Sequence, residues 1–210
     1  MSKKHRMVKY IEIEMKKMKN QLLKHFRRND SILFPFVSKI TIEPIASHTS
    51  SQYFVHLCED IIGQQLSGKV SDVIFARFEK LFSTKNITPR TVLKLSEEKL
   101  RTTGMSWSKT RFIRDLAHHI VTHSVSLDSL DALSDSEVIA ELTKVKGIGP
   151  WTAEMFLMFT LGREDVFSYG DLGLKNAIKK LYGFKKDPTT KQMEKIVNKW
   201  GLSKKKSGYE

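Results

Sequence analysis

Gly147-Ile148-Gly149-Pro150 constrains this chain more than any other stretch. The polar segment Ser134 to Val145 opens with Ser134, Asp135, Ser136 and Glu137. A serine three residues ahead of a glutamate is a reciprocal helix cap. The two glycines then permit a tight turn and a close approach by another backbone. Pro150 takes the first helical position, where its missing amide costs nothing. The stretch therefore reads as helix, hairpin, helix over about residues 134–161. The first amides of the second helix point past a turn without side-chain bulk, and such a helix start receives anions, phosphate included. Lys144 and Lys146 flank it. Trp151 to Leu161 is apolar nearly all round, which predicts a buried helix.

The rest of the chain reads the same way. Residues 5–28 form a basic amphipathic helix, with Met7, Val8, Ile11, Met15, Met18, Leu22, Leu23 and Phe26 at spacings of three and four. Asp30 and Ser31 mark the start of a short helix ending near Lys39, and Ser50 or Ser51 can cap the next one. Further helices are expected to Gly63, to about Phe82, over 89–95 and 97–103, over 106–124, and over 172–182 and 189–200. Lys109, Arg111 and Arg114 are placed on the outer face of the 106–124 helix, and 203–210 reads as a frayed tail. No segment alternates as a strand does, so the fold class is all-α with about ten helices.

The sequence carries 36 Lys and Arg against 23 Asp and Glu, a formal net charge of +13. That excess favours a polyanionic partner. No apolar run reaches the roughly 20 residues that span a bilayer, and the first residues lack the apolar block of a secretory signal. Cys58 is the single cysteine. It excludes an internal disulfide and a four-cysteine iron–sulfur cluster, and an intracellular, reducing location is the default. No His, Cys or carboxylate cluster has zinc or magnesium spacing.

KGIGPWTAEM followed by GREDVFSYGDLGL resembles the helix-hairpin-helix DNA glycosylases that carry a Gly/Pro-rich loop and an aspartate. The branch it resembles most is 3-methyladenine DNA glycosylase II. IIGQQLSGKVSDVIFARF (Ile61 to Phe78) and GMSWSKTRFIRDLA (Gly104 to Ala117) extend the resemblance over about residues 20–200. It implies two helical lobes with a DNA-binding cleft between them. One lobe would be residues 52–165, the other 1–51 with 166–202.

Site residues follow from the same resemblance. Asp171 corresponds to the aspartate that serves catalysis. Read without the resemblance, it is an N-cap for the helix after it. Lyase relatives place a Schiff-base lysine just after the hairpin. Trp151 stands there, so the chain reads as monofunctional, and the indole would stack on a flipped base or pack in the core. Phe54 and Met155 are further pocket-wall candidates, though an apolar helix face explains Phe54 equally well. Gln65 is the expected intercalating wedge, with Leu66 as the alternative, and Gln64 and Ser67 would lie in the minor groove. Lys144, Lys146, Gly147, Ile148, Gly149 and Thr152 would meet the DNA backbone. Carbonyls of Thr143, Val145 and Ile148 match positions that hold a Na+ or K+ ion in such hairpins; no other cofactor is implied. Lys109 and Ser108 belong to a signature whose expected job is packing.

The expected partner is double-stranded DNA containing alkylated bases, met by a monomer. Two departures bear on this. Ser168 stands where the family commonly has proline, and the sequence past Trp200 reads GLSKKK where the family continues with a Pro-x-Arg-Ser segment and another helix. The latter would leave part of the pocket wall missing and favours a non-catalytic DNA-binding relative; Asp171 favours the enzyme. A strand-cutting glycosylase-lyase would need a lysine at 151.

Overall fold

The computed structural model describes residues 3–41, 48–82 and 86–201, with side chains from Ile13 onward. The expected tail, 203–210, lies outside the described residues, as do the side chains of Met7, Val8 and Ile11. Among the described residues the structure is helical throughout, with no strand. The chain divides into two units: Met1–Ile45 with Phe167–Glu210, and Ala46–Val166.

The terminal unit contains α1 (Lys3–Asn29), α2 (Phe34–Val37), α10 (Leu172–Leu181) and α11 (Thr190–Val197). Its small core joins Ile178, Met193 and Ile196 to Phe167, Tyr169, Tyr182, Phe184 and Trp200. Asp30 ends α1 and is 4% exposed. Its Oδ1 accepts from the amides of Ile32 and Leu33, while Oδ2 accepts from Tyr182 Oη and Trp200 Nε1. Asp30 does not cap the short helix as expected: α2 starts at Phe34 with Leu33 at its N-cap, and one Asp30 oxygen closes the turn before it. The other ties α1 to the far end of the chain.

The central unit contains α3 (Ser50–Gly63), α4 (Gly68–Glu79), α5 (Pro89–Leu93), α6 (Glu97–Arg101), α7 (Trp107–Val121), a 3-10 turn (Leu130–Ala132), α8 (Asp135–Leu142) and α9 (Pro150–Phe159). α3 takes its cap at Thr49, one residue before Ser50 and two before Ser51, where Gln52 Oε1 accepts from the Thr49 amide. Tyr53, Phe54, Leu57, Cys58, Ile61 and Ile62 recur at helical spacing and are buried. Each such side chain contributes about 1.5–3 kcal/mol when fully removed from water. Against that face pack Ile113, Leu116 and Ala117 of α7, Val138 and Leu142 of α8, and Ala153, Phe156 and Leu157 of α9.

Two cations assigned to the outer face of α7 turn inward. Arg114 donates to the carbonyl of Leu95, just past the end of α5, and Lys109 donates to carbonyls at the end of α3. The carbonyls of a last helical turn lack partners and carry the negative end of the helix dipole, which attracts a cation. Arg163 does the same for the 3-10 turn, donating to the carbonyls of Asp131 and Leu133.

The two units hold contrasting carboxylates. Burial alone would raise Asp30, but the bonds from Tyr182, Trp200, Leu33 and Ile32 outweigh it and hold the group below the usual carboxylate range. Asp60 has no such donors. Its Oδ2 is buried without a hydrogen-bond partner, and burial, with help from Glu59, pushes it up to about 7. The stability that Asp30 contributes is present above the ordinary aspartate pKa and lost as pH falls through its depressed value. Asp60 has the opposite sign: its ionisation costs stability as pH rises from about 4 to about 7. Asp30→Asn should therefore melt below the parental protein at pH 7, with the gap closing in acid. Asp60→Asn should melt above it at pH 8, with the gap closing near pH 4. Thermal unfolding followed by circular dichroism across this range checks both signs.

Candidate nucleic-acid interface and active site

The hairpin lies between α8 and α9 as the glycines require. Ser134 caps α8, with its hydroxyl accepting from the Glu137 amide and the Glu137 carboxylate accepting from the Ser134 amide at 2.8 Å. Gly147 has φ 91°, in the region that only glycine enters freely. A Cβ there would also lie 2.2 Å from ring carbons of Phe112 on α7. Conformation and space therefore both demand glycine. The Lys146 amide donates to Asp115 Oδ2 at 2.7 Å, fastening the loop to α7 a second time.

Gly149 differs in kind. It is the N-cap of α9 with φ −92° and ψ 174°, ordinary extended backbone, and a Cβ on it would meet nothing within 4 Å. The fold does not need glycine there. The backbone at the start of α9 is left bare and exposed.

The structure redistributes several expected DNA-facing residues. Ile148 is buried and its amide donates to the Val145 carbonyl at 3.1 Å. Thr152 is 4% exposed and its Oγ1 accepts from Gln64 Nε2. Neither side chain is offered to a ligand, because both fill the angle between hairpin and core. The Lys144 ammonium pairs with Glu141 in the last turn of α8, while Lys146 is exposed. Gln64 is not a groove reader through its amide nitrogen. Nε2 donates to the Gly147 carbonyl at 2.9 Å and to Thr152 at 3.2 Å, tying the α3–α4 corner to the hairpin.

That corner presents Gln65, Leu66 and Ser67, all exposed. Gln65 has φ 57°, left-handed backbone for a residue with a side chain. Lys109 Nζ donates to the carbonyls of Ile62 and Gln64 on either side of Gly63, at 2.8 and 2.7 Å. Its partial burial lowers its pKa. The sequence gives the lysine no mark beyond its place in GMSWSKTRF. Phe112 under Gly147 and Asp115 on the Lys146 amide are likewise not signalled by spacing.

α9 is not buried all round. Thr152, Ala153, Phe156 and Leu157 face inward, while Trp151 is 44% exposed and Phe159 62%. Met155 is half-buried on the same helix. Phe54 is 4% exposed inside the core, because the apolar face of α3 points there, and so it leaves the set of accessible aromatic walls.

Asp171 belongs to the terminal unit and is the N-cap of α10, its Oδ1 accepting from the Leu174 amide at 2.7 Å. The helix start favours an ionised carboxylate. Gly173 keeps the ground beside it clear, since a Cβ there would sit 3.1 Å from Oδ1. Ser168, at the position where proline was expected, is fully buried, and its carbonyl accepts from the Asp171 amide at 3.2 Å. Leu172 and Leu174 beside the cap are exposed.

Residues 58–202 match the model of the HhH-GPD superfamily of base excision DNA repair proteins. The chain belongs to that family. A DNA-3-methyladenine glycosidase from Bacillus halodurans has the same fold, with TM-score 0.72 and 34% identity over 86% of this chain and 82% of that one. Schizosaccharomyces pombe 3-methyladenine DNA glycosylase Mag1, solved in complex with abasic DNA, superposes with TM-score 0.72 and 27% identity over 86% and 89% of the two chains. DNA-3-methyladenine glycosylase of Saccharomyces cerevisiae is 30% identical over 96% of this chain and 73% of its own length. The chain spans 54% and 65% of the lengths of two further relatives, YfjP of Bacillus subtilis and DNA-3-methyladenine glycosylase 1 of S. pombe. Among the described residues no helix is long and apolar enough to cross a membrane, and no group of three His, Cys, Asp or Glu is arranged to hold a metal.

The two hairpin glycines separate folding from docking. Gly147→Ala should destabilise the protein by about 2–4 kcal/mol, the combined scale of a left-handed alanine and an overpacked contact. Gly149→Leu should cost only about 0.5–1 kcal/mol, the scale of exchanging glycine for a poorer N-cap residue where nothing obstructs the side chain. Urea unfolding of the two variants checks the contrast.

Proposed function

We propose that this chain is a monofunctional DNA glycosylase that hydrolyses the N-glycosidic bond of alkylated purines, 3-methyladenine and 7-methylguanine foremost, and leaves an abasic site. The observation that carries the reading is a carboxylate at 171, capping α10, together with an indole at 151 where the lyases of this family have an amine. The relatives named as 3-methyladenine glycosylases support the substrate class.

The chemistry needs little more. An alkylated purine is cationic, so its ring departs with the bonding pair as a neutral base and needs no general acid. Positive charge builds on C1′ of the deoxyribose as the bond breaks. Asp171, ionised at its helix start, supplies the opposing charge and accepts a proton from the water that adds to C1′. An electron-rich ring such as Trp151 is suited to hold the cationic base once it leaves the stack.

Docking falls to the hairpin. Backbone amides at the start of α9, bare at Gly149, and the Lys146 ammonium contact phosphates, while Gln65 or Leu66 fills the gap left by the flipped base and Ser67 flanks it in the minor groove. The carbonyls of Thr143, Val145 and Ile148 are neutral oxygen donors, which suits a monovalent cation such as Na+ or K+. The Val145 carbonyl already accepts one amide and keeps one lone pair for it. On this reading the chain acts as a monomer, inside the cell, on duplex DNA.

Four measurements test the reading. Incubation with methylated duplex DNA should release 3-methyladenine or 7-methylguanine, identified by chromatography. The product strand should break only on adding alkali, and borohydride should trap no protein–DNA adduct; a trapped adduct would overturn the monofunctional assignment. Asp171→Asn keeps the cap, since asparagine caps as well as aspartate, and should slow excision by about 10²–10³, the scale of one preorganised electrostatic group. Excision at the parental rate by a folded Asp171→Asn protein would reduce Asp171 to a helix cap. Gly149→Leu should weaken binding to damaged and undamaged duplexes alike, because phosphate contacts position without specifying.

A further inference from the structure

The α3–α4 corner has to hold a strained residue at its tip. Gln65 is at φ 57°, and a residue with a side chain pays on the order of 1–3 kcal/mol to stay in that region. Local bonds supply part of the restraint: the Gln64 amide donates to Asp60 O at 3.1 Å and the Leu66 amide to Gly63 O at 3.0 Å. The remainder comes from α7. Lys109 Nζ grips the Ile62 and Gln64 carbonyls, and the Gln64 carbonyl belongs to the peptide immediately before Gln65. Holding that oxygen fixes the plane of the peptide, and with it the direction in which Gln65 and Leu66 project. The side chain of the same Gln64 is spent on the Gly147 carbonyl and Thr152. Corner, α7 and hairpin are therefore linked through two consecutive elements of one residue, its carbonyl and its amide.

We propose that Lys109 is a positioning residue: it aims the Gln65–Leu66 corner and locks it to the hairpin, so that phosphate docking at the hairpin sets the depth at which the corner enters the duplex. This rests on the reading of the corner as the wedge. The competing role for a lysine in a basic DNA-binding protein is a phosphate contact. Two of the three ammonium donors are already committed to internal carbonyls and the side chain is half-buried, which disfavours it.

The two roles predict different behaviour. Lys109→Met removes the charge and both bonds while keeping the apolar stem, and Lys109→Gln serves as a second variant that retains a donor if the first does not fold. Each is combined with Gln65→Ala in a double-mutant cycle. The first readout is affinity for an abasic-site duplex relative to an undamaged one, with the salt dependence of each. The second is hydrogen exchange at the Leu66 amide in the free protein. For a positioning residue, Lys109→Met should lower the preference for the abasic duplex about tenfold and leave undamaged binding within about twofold. The Leu66 amide should exchange at least about tenfold faster, and no further preference should be lost in the Gln65→Ala background. An equal loss on both duplexes with a salt slope shallower by about one would identify a phosphate ligand and overturn the proposal. So would unchanged exchange at Leu66, or losses that add in the double variant. A parental protein that does not prefer the abasic duplex would sink the glycosylase reading by itself; exchange at Leu66 would still decide whether Lys109 holds the corner.

Discussion

The carbonyl of Gly147 is where the central unit is joined. It is presented at that angle only because residue 147 takes a positive φ over the ring of Phe112, and only glycine satisfies both. The Gln64 amide then lands on it, and Thr152 completes the contact from the first turn of α9. Every surface the central unit offers to a ligand follows from this join. The bare start of α9 faces outward because the residues around it are pulled inward. Ile148 and Thr152 are core, Lys146 is fixed by its amide, and Gly149 is left in the open. A loop with more freedom could make the same contacts, but it would pay for its ordering at each encounter.

The basic composition divides into two populations. Lys109, Arg114 and Arg163 are turned onto backbone carbonyls at helix ends or turns, and Arg101 does the same at Met105. These cations stabilise a fold built from short helices, whose termini are many and whose orphan carbonyls need donors. Lys146 and, on α1, Lys16, Lys17 and Lys24 remain at the surface, while Lys19 donates to the Ile40 carbonyl. The net charge of +13 therefore does not by itself say what the fold presents to a polyanion. It is the distribution, not the total, that directs binding.

Much of the fold was legible from the chain itself. Ser134 with Glu137 is a cap written in local sequence, and the structure uses it. The apolar face of α3 was visible in its spacing. The failures share one cause. Periodicity assigns a residue to a face, but it cannot say what a long polar side chain reaches. Lys109 and Arg114 sit at polar positions of α7 and still turn back to carbonyls of other helices. Gln64 was placed in a groove and is spent inside the protein. Phe54 was read as a pocket wall, yet its helix face belongs to the core. α9 was read as buried because its composition is apolar, whereas Trp151 and Phe159 are exposed. Apolar content fixes how much a helix can bury, and the neighbouring elements decide how much it does. Asp171 marks the limit from the other side: the sequence shows a cap, and its chemistry enters only through the family pattern around it.

The double tie of Asp30 has a consequence for synthesis. Its partners Tyr182 and Trp200 lie 152 and 170 residues later, so these ties cannot close until residue 200 has left the ribosome. The central unit is continuous and is complete by Val166. It should fold first, as domains made during translation do. When it does, the Thr160 carbonyl accepts from the His48 amide at 3.2 Å, bringing the two ends of that segment together. The long loop between Asp30 and its partners is thereby shortened, a saving on the order of 1 kcal/mol in closure entropy. Until then Asp30 keeps only the turn amides of Ile32 and Leu33, and its second oxygen waits for Tyr182 and Trp200.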